Sequence, residues 1–170
     1  MRQIDIKDLT DNVIELIGKE WMLVTAGTLD HFNTMTASWG GIGFLWNKPV
    51  AFVFVRPERY TYDFLEAEDG LTLSFLGEAG KVIHKICGST SGRTTDKVKE
   101  TGLQPFAASN GSVAFKQARL TLECKKLYAE ELRADKFLSA SDLERWYNAR
   151  PGGSMHKMYI VEIEKVFVQD

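Results

Sequence analysis

Cysteine is scarce. Cys87 and Cys124 are the only two in 170 residues, far apart and in no C-x-x-C pair, so neither a disulfide framework nor a zinc site is expected, and a reducing cytoplasm fits. Long apolar runs are missing as well. The longest strongly apolar stretch, Val50 to Val55, is far too short to cross a bilayer, and the opening MRQIDIKDLTD alternates charged with apolar residues and has no signal-type hydrophobic region, so a soluble cytoplasmic protein with no membrane partner is expected. Neither sign of charge dominates. Lys plus Arg number 21 against 23 Asp plus Glu, and a net charge of −2 lacks the basic footprint of a nucleic-acid binder. Familiar catalytic signatures are absent: GGIG at 40–43 lacks the third glycine of a dinucleotide fingerprint, Gly80-Lys81 is followed by Val82 where a P-loop needs Ser or Thr, and no G-x-S-x-G occurs. His31, His84 and His156 share no ligand spacing, so they read as surface or packing residues and no metal is expected.

What is present suffices for a core. Hydrophobic residues make up 44% of the chain, and a chain of this length buries roughly 70% of its unfolded surface, so one domain over residues 1–170 is expected. Asp8 to Gly18 places Leu9, Val13, Leu16 and Ile17 at helical spacing, with Thr10 or Asp11 as N-cap. WMLVTAGTL and NTMTASWG, rich in β-branched and aromatic residues, read as a hairpin around Asp30. The unbroken apolar run VAFVFV after Pro49 reads as a central strand buried on both faces, ended by Arg56-Pro57. Thr61 to Ala67 reads as a short helix capped by Thr61, residues 71–76 as a strand, 81–88 as a helix, and TTDKVKETG as a second helix stopped by Gly102. Asn110-Gly111 signals a hairpin turn ahead of a long strand-like stretch from Val113 to Leu132. Ser141 to Glu144 has the form of a capping box for a helix that stops near Pro151-Gly152-Gly153, and HKMYIVEIEKVFVQD alternates as a half-buried strand. Many strands without βαβ regularity point to a mainly β fold, a β-barrel with helical insertions.

Three clusters carry candidate chemistry. Thr34, Thr36 and Ser38 alternate with Met35, Ala37 and Trp39, giving a hydroxyl face that can meet a planar polar heterocycle, although any such strand alone reads as threonines on a solvent face. Arg56 and Arg59 flank Pro57 just before a helix start, where guanidinium forks and orphan N–H groups converge on a phosphate; alone, they read as solvated loop charges. Lys81 to Lys99 carries five basic residues against Asp96, and its SGRTTDK combines Ser91, Gly92, Arg93 and Lys97 in the manner of an anion-binding loop, with a solvated helix face as the plainer alternative.

In order, NTMTASWGG, then KPVAFVFVRPERYTYDFL, then HKICGSTSGRTTDK with GLQP shortly after, resemble the flavin reductase-like family with the FMN-binding split barrel, particularly its flavoredoxin-like branch. The resemblance runs from about Trp21 to Pro105 and returns in HKMYIVEIEKV. It implies a split-barrel homodimer with FMN near the subunit interface, reduced by NADH or NADPH in reductase members. By motif, Met35, Thr36, Ala37, Ser38 and Trp39 would lie along the isoalloxazine. Arg56, Arg59, Tyr60 and Thr61 would hold the ribityl chain and phosphate, with Ser91, Arg93 and Lys97 completing the anion pocket. His156 would lie on the nicotinamide side as the catalytic candidate, and Trp146 and Tyr147 would belong to a variable lid. Three activities stay open: an NAD(P)H-dependent flavin reductase, with a monooxygenase or electron-transfer protein as a further partner; an FMN-holding electron carrier without its own NAD(P)H site; and a split barrel that has lost flavin and binds another small ligand.

Overall fold

Alternating apolar residues and a tight turn dictate the first hairpin. In the computed structural model, which describes residues 1–149 and 153–169, β1 spans Arg2–Ile4, β2 Met22–Thr28 and β3 His31–Ala37. β2 and β3 pair antiparallel, with Met22 opposite Ala37 and Thr28 opposite His31. Gly27 sits at φ +106°, where an added Cβ would lie 2.3 Å from the His31 carbonyl oxygen, so only glycine lets the two strands close at this end. Further strands are β4 (Gly40–Leu45), β5 (Lys48–Val55), β6 (Gly70–Phe75), β7 (Pro105–Ala107), β8 (Val113–Phe115), β9 (Leu120–Glu131) and β10 (Lys157–Val168). The helices are α1 (Val13–Glu15), α2 (Tyr60–Ala67), α3 (Lys81–Ser89), α4 (Lys97–Thr101) and α5 (Ala140–Leu143).

One antiparallel sheet runs β3-β2-β6-β9-β10-β5-β4, with β1 added to β10, while β7 and β8 form a separate hairpin. Met35 and Ala37 from one end of that order share a single buried cluster with Ala51, Val53 and Val55 from the other, together with Val24, Leu73, Leu122 and Tyr159. A flat sheet cannot bring its two ends into one core, so this sheet curls on itself. Each such fully buried aliphatic side chain stabilises the curl by about 1.5–3 kcal/mol. Alternation sends Leu23 to the outer face, where it joins Leu76, Cys87, Leu103, Val113, Phe115 and Ala118 in a second cluster beneath α3 and the β7–β8 hairpin. The fold is therefore mainly β with an antiparallel, barrel-like sheet and helical parts, as expected. No helix among the described residues is long and apolar enough to cross a membrane.

Several local expectations are corrected. The opening helix is a 3-10 turn at Ile6–Asp8, then α1 capped by Asn12, then a π-type turn at Leu16–Glu20; neither Thr10 nor Asp11 is the cap. β5 is one strand in from the sheet's end, and Phe52 and Phe54 are only half-buried, so the apolar run is not sealed on both faces. Thr61 does not cap α2: Arg59 occupies that position, because the Thr61 hydroxyl is drawn inward to accept a 2.7 Å hydrogen bond from Asn33 Nδ2. The stretch 113–132 breaks into β8 and β9 at a turn where Arg119 pairs with Glu20 and Asp11. Ser139, not Ser141, caps α5 through the Asp142 N–H, and Pro151 and Gly152 lie outside the described residues.

Candidate functional site

The open end of the curled sheet, where β3 and β5 finish, meets the start of α2 and the end of α3. A cleft of about 430 Å³ opens there, within the range of small-molecule sites. Met35 to Trp39 form one wall, Phe54, Arg56 and Arg59 the floor, and Trp146 and His156 the far side. A second cavity of about 170 Å³ continues past Arg59 and is lined by Asn33, Glu58, Tyr60, Gly88 to Ser91 and Lys97.

Two cations dominate the smaller cavity. Arg59 donates to the carbonyls of Gly88 (2.9 Å) and Cys87 (3.1 Å), and Lys97 donates to those of Thr34 (2.7 Å) and Cys87 (3.1 Å). The last carbonyls of α3 lack helical partners and carry the negative end of the helix dipole, so cations settle there. Neither Arg59 nor Lys97 has a carboxylate at ion-pair distance among the described residues. Burial pushes the Lys97 ammonium down to about 8, with Cys87 opposing and Arg59 adding repulsion. Desolvation lowers Arg59 in the same direction. Buried Lys97 and half-buried Arg59 thus face one cavity beside the first turn of α2, which has no side-chain cap, and the Glu58 carboxylate on the same lining attracts Arg59 without reaching ion-pair distance. Gly92 packs tightly against Asn33: an added Cβ would fall 2.0 Å from Asn33 Oδ1.

Rings built the far side of the large cleft. Arg56 donates to the Trp146 carbonyl (2.8 Å) and the Ser154 carbonyl (2.9 Å), and its guanidinium lies 5.1 Å from the Tyr147 ring centre, so it ties this segment to the end of β5. The Tyr147 hydroxyl sits 2.9 Å from His156 Nδ1; the His156 ring lies 5.2 Å from Trp39, and Trp39 meets Trp146 edge-on at 5.0 Å.

The structure brings most, but not all, of the anticipated residues together. Met35, Thr36, Ala37, Ser38, Trp39, Arg56, Arg59 and His156 line the large cleft, and Tyr60, Ser91 and Lys97 join Arg59 in the smaller one. Arg56 stands in the ring-sized cleft rather than the anion cavity. Thr61 is fully buried and lines neither. Arg93 turns away, pairing with Asp63 at 2.6 Å and stacking 4.7 Å from the Tyr60 ring centre, and lines a neighbouring cavity on the other side of Lys97. The hydroxyl face of β3 is largely spoken for: Thr34 bonds Thr25 at 2.8 Å, and Thr36 donates to the His84 carbonyl at 2.7 Å. Asn33 and Phe54 were missed. Asn33 reads as a turn former in sequence, and only its position two residues before Met35 on one strand hints that it belongs to the site.

A family model described as a flavin reductase like domain matches residues 15–170. The chain belongs to that family. No curated protein matches it. Flavoredoxin of Desulfovibrio vulgaris (Miyazaki F) superposes with a TM-score of 0.68 at 22% identity, over 88% of this chain and 69% of that one. An FMN-binding protein from Thermus thermophilus with bound p-hydroxybenzaldehyde gives 0.69 at 18% identity, over 100% and 83%. An NADH:FAD oxidoreductase of Streptomyces globisporus C-1027, in complex with NAD and FAD fragments, gives 0.64 at 15%, over 88% and 74%. At these identities the flavin reductase-like fold is what is shared. Among the described residues no group of three or more His, Cys, Asp or Glu side chains could hold a metal ion.

Proposed function

We propose that this flavin reductase-like domain is an FMN-binding oxidoreductase, with the ring in the large cleft and the phosphate between Arg59, Lys97 and the start of α2. The single observation that carries the reading is buried Lys97 beside half-buried Arg59, neither with a carboxylate at ion-pair distance among the described residues, in a cavity that adjoins an aromatic-lined cleft. The residues fit the group. A phosphate supplies the missing negative charge, Arg59 and Lys97 each keep donors beyond those spent on α3, and Tyr60 and Ser91 border the same space. Thr36 to Trp39, which line the cleft, would offer backbone groups to the ring's polar edge, and the proximity of Arg56 would favour negative charge there. The chemistry supplied in such a site is hydride acceptance from a nicotinamide, NADH or NADPH, at the flavin ring. Trp39, Trp146 and His156 wall one side of that space, and the Tyr147 hydroxyl orients His156 through Nδ1.

A second reading is a flavoredoxin-like electron carrier. It is favoured by the edge-on Trp39–Trp146 contact, which occupies cleft space a nicotinamide needs for stacking. The visible spectrum of purified protein, repeated after anaerobic addition of NADH and then NADPH, tests both. A flavin spectrum bleached by either nucleotide supports the reductase, and a flavin spectrum insensitive to both supports the carrier. A colourless protein that does not bind added FMN overturns both.

A further inference from the structure

A larger cavity, about 560 Å³, lies elsewhere on the molecule and shares no residue with the cleft. On β9, Leu120, Leu122 and Cys124 enter the main core, so alternation turns Thr121 and Glu123 to the opposite face, where the β7–β8 hairpin covers them. Phe106, Ala107, Ala114 and Phe167 make the surrounding wall apolar. Within it sit two polar groups that the fold leaves incompletely satisfied. Glu123 is 4% exposed; its carboxylate accepts from the Ser109 N–H at 2.9 Å and the Ser109 hydroxyl at 2.5 Å, and it has no cation at ion-pair distance among the described residues. Lys165, its cross-strand neighbour, instead donates to Ser109 Oγ at 2.7 Å, and Lys116 lies at the cavity lining. Thr121 is 1% exposed, and its hydroxyl has no hydrogen-bond partner among the described residues; the same holds for Ser74, directly opposite on β6. Buried hydroxyls and carboxylates without full partners are costly, and a cavity that keeps them is built around something polar.

We propose that this cavity binds a small organic molecule with an apolar body and a hydrogen-bond-donating head, an amine or an alcohol, seated between Thr121 and Glu123. Residues two apart on one strand face stand about 6.6 Å apart. A single head group making two hydrogen bonds of about 2.8 Å spans most of that distance. The amine or hydroxyl donates to the Glu123 carboxylate and engages the Thr121 hydroxyl, while the body lies against Phe106 and Phe167. The site is independent of the flavin reading.

Three isosteric probes test it: 2-phenylethylamine, 2-phenylethanol and propylbenzene, titrated into the full-length protein by ligand-observed NMR. The amine or the alcohol should bind at least about tenfold more tightly than propylbenzene. Thr121→Val should shrink that preference several-fold. Ala107→Trp, at an exposed position on the cavity lining, should abolish binding of all three while leaving FMN affinity and sedimentation unchanged. Equal affinities, no binding to the native protein, or binding untouched by Ala107→Trp would overturn the proposal. So would a change of oligomeric state in Ala107→Trp, since the face would then be a subunit interface.

Discussion

Lys97 is a lysine with the wrong surroundings for a lysine. It is buried, next to Arg59, and held only by backbone carbonyls, so burial brings it down to about 8 from its ordinary value. A phosphate above pH 7 is already dianionic, so a change in FMN affinity between pH 7 and 9 reports on the cation. Affinity should therefore fall across that range as Lys97 loses its proton. Lys97→Gln should weaken FMN binding at pH 7 by about 1.5–3 kcal/mol and flatten the pH dependence, measured by quenching of flavin fluorescence. Lys97→Arg should retain most of the affinity. A Lys97→Gln variant with the native pH profile would remove Lys97 from the site. His84 is the opposite case, a neutral imidazole kept so by burial. Burial and Lys81 push it down to about 4 despite the attraction of Glu20. Its Nε2 has no partner among the described residues, and Trp21 packs edge-on 6.1 Å away. Below pH 6.5 the unfolded chain takes up a proton here that the folded chain refuses until about pH 4. The unfolded state then binds more protons, so stability falls with falling pH over that window, by about 2–3 kcal/mol at its foot. His84→Met should remove this component, so the stability difference between native protein and variant, from urea unfolding at pH 7, 5.5 and 4.5, should shrink steadily toward acid. A constant difference would show that His84 does not titrate in this way.

At the scale of elements, what sequence reveals and conceals divides along local and non-local lines. Strands with clean alternation or β-branched runs are legible, as are Gly102, which ends α4 at φ +67°, and the Asn110-Gly111 turn between β7 and β8. Caps are less so. Ser139 and Ser141 both stand three residues before an acidic side chain, and nothing local decides between them; Thr61 looks like a cap but is claimed from inside by Asn33, 28 positions away. The anion cavity is half legible for the same reason: Arg59, Ser91 and Lys97 belong to recognisable blocks, whereas Asn33 enters only through tertiary packing. The turn between β4 and β5 is hidden altogether. Trp46 and Asn47 take φ of +52° and +57°, the two left-handed positions of a type I′ turn, where glycine or asparagine is usual and a bulky ring is strained. Trp46→Gly should then raise the thermal midpoint, the relief of about 1–2 kcal/mol outweighing glycine's entropy by a fraction of a kcal/mol. No increase would mean that the Trp46–Tyr128 contact at 6.5 Å offsets the strain.

The strained turn lies among exposed rings. Around edge strand β4, Phe44 is 73% exposed, Trp46 57%, Tyr128 41% and Trp39 40%, and Trp39 also lines the cleft. Unpaired edge strands and contiguous apolar patches are liabilities unless something covers them. These four rings offer roughly 400–500 Å². A stable interface takes about 800 Å² per partner, so the rings would supply about half of one. The homodimer implied by the family resemblance would seat a second copy on this face, with the cleft at the edge of the interface. Sedimentation velocity should show a dimer at micromolar concentration, and Phe44→Lys with Trp46→Lys should shift it to monomer without unfolding, seen as an unchanged far-ultraviolet circular dichroism spectrum. If the second copy completes the cleft, the same double variant should lose FMN affinity and native protein should lose it on dilution. Lys97→Gln, by contrast, should weaken FMN binding while leaving the dimer intact. A native protein that sediments as a monomer at every concentration would sink the assembly, and a monomeric double variant with native FMN affinity would confine the site to one copy.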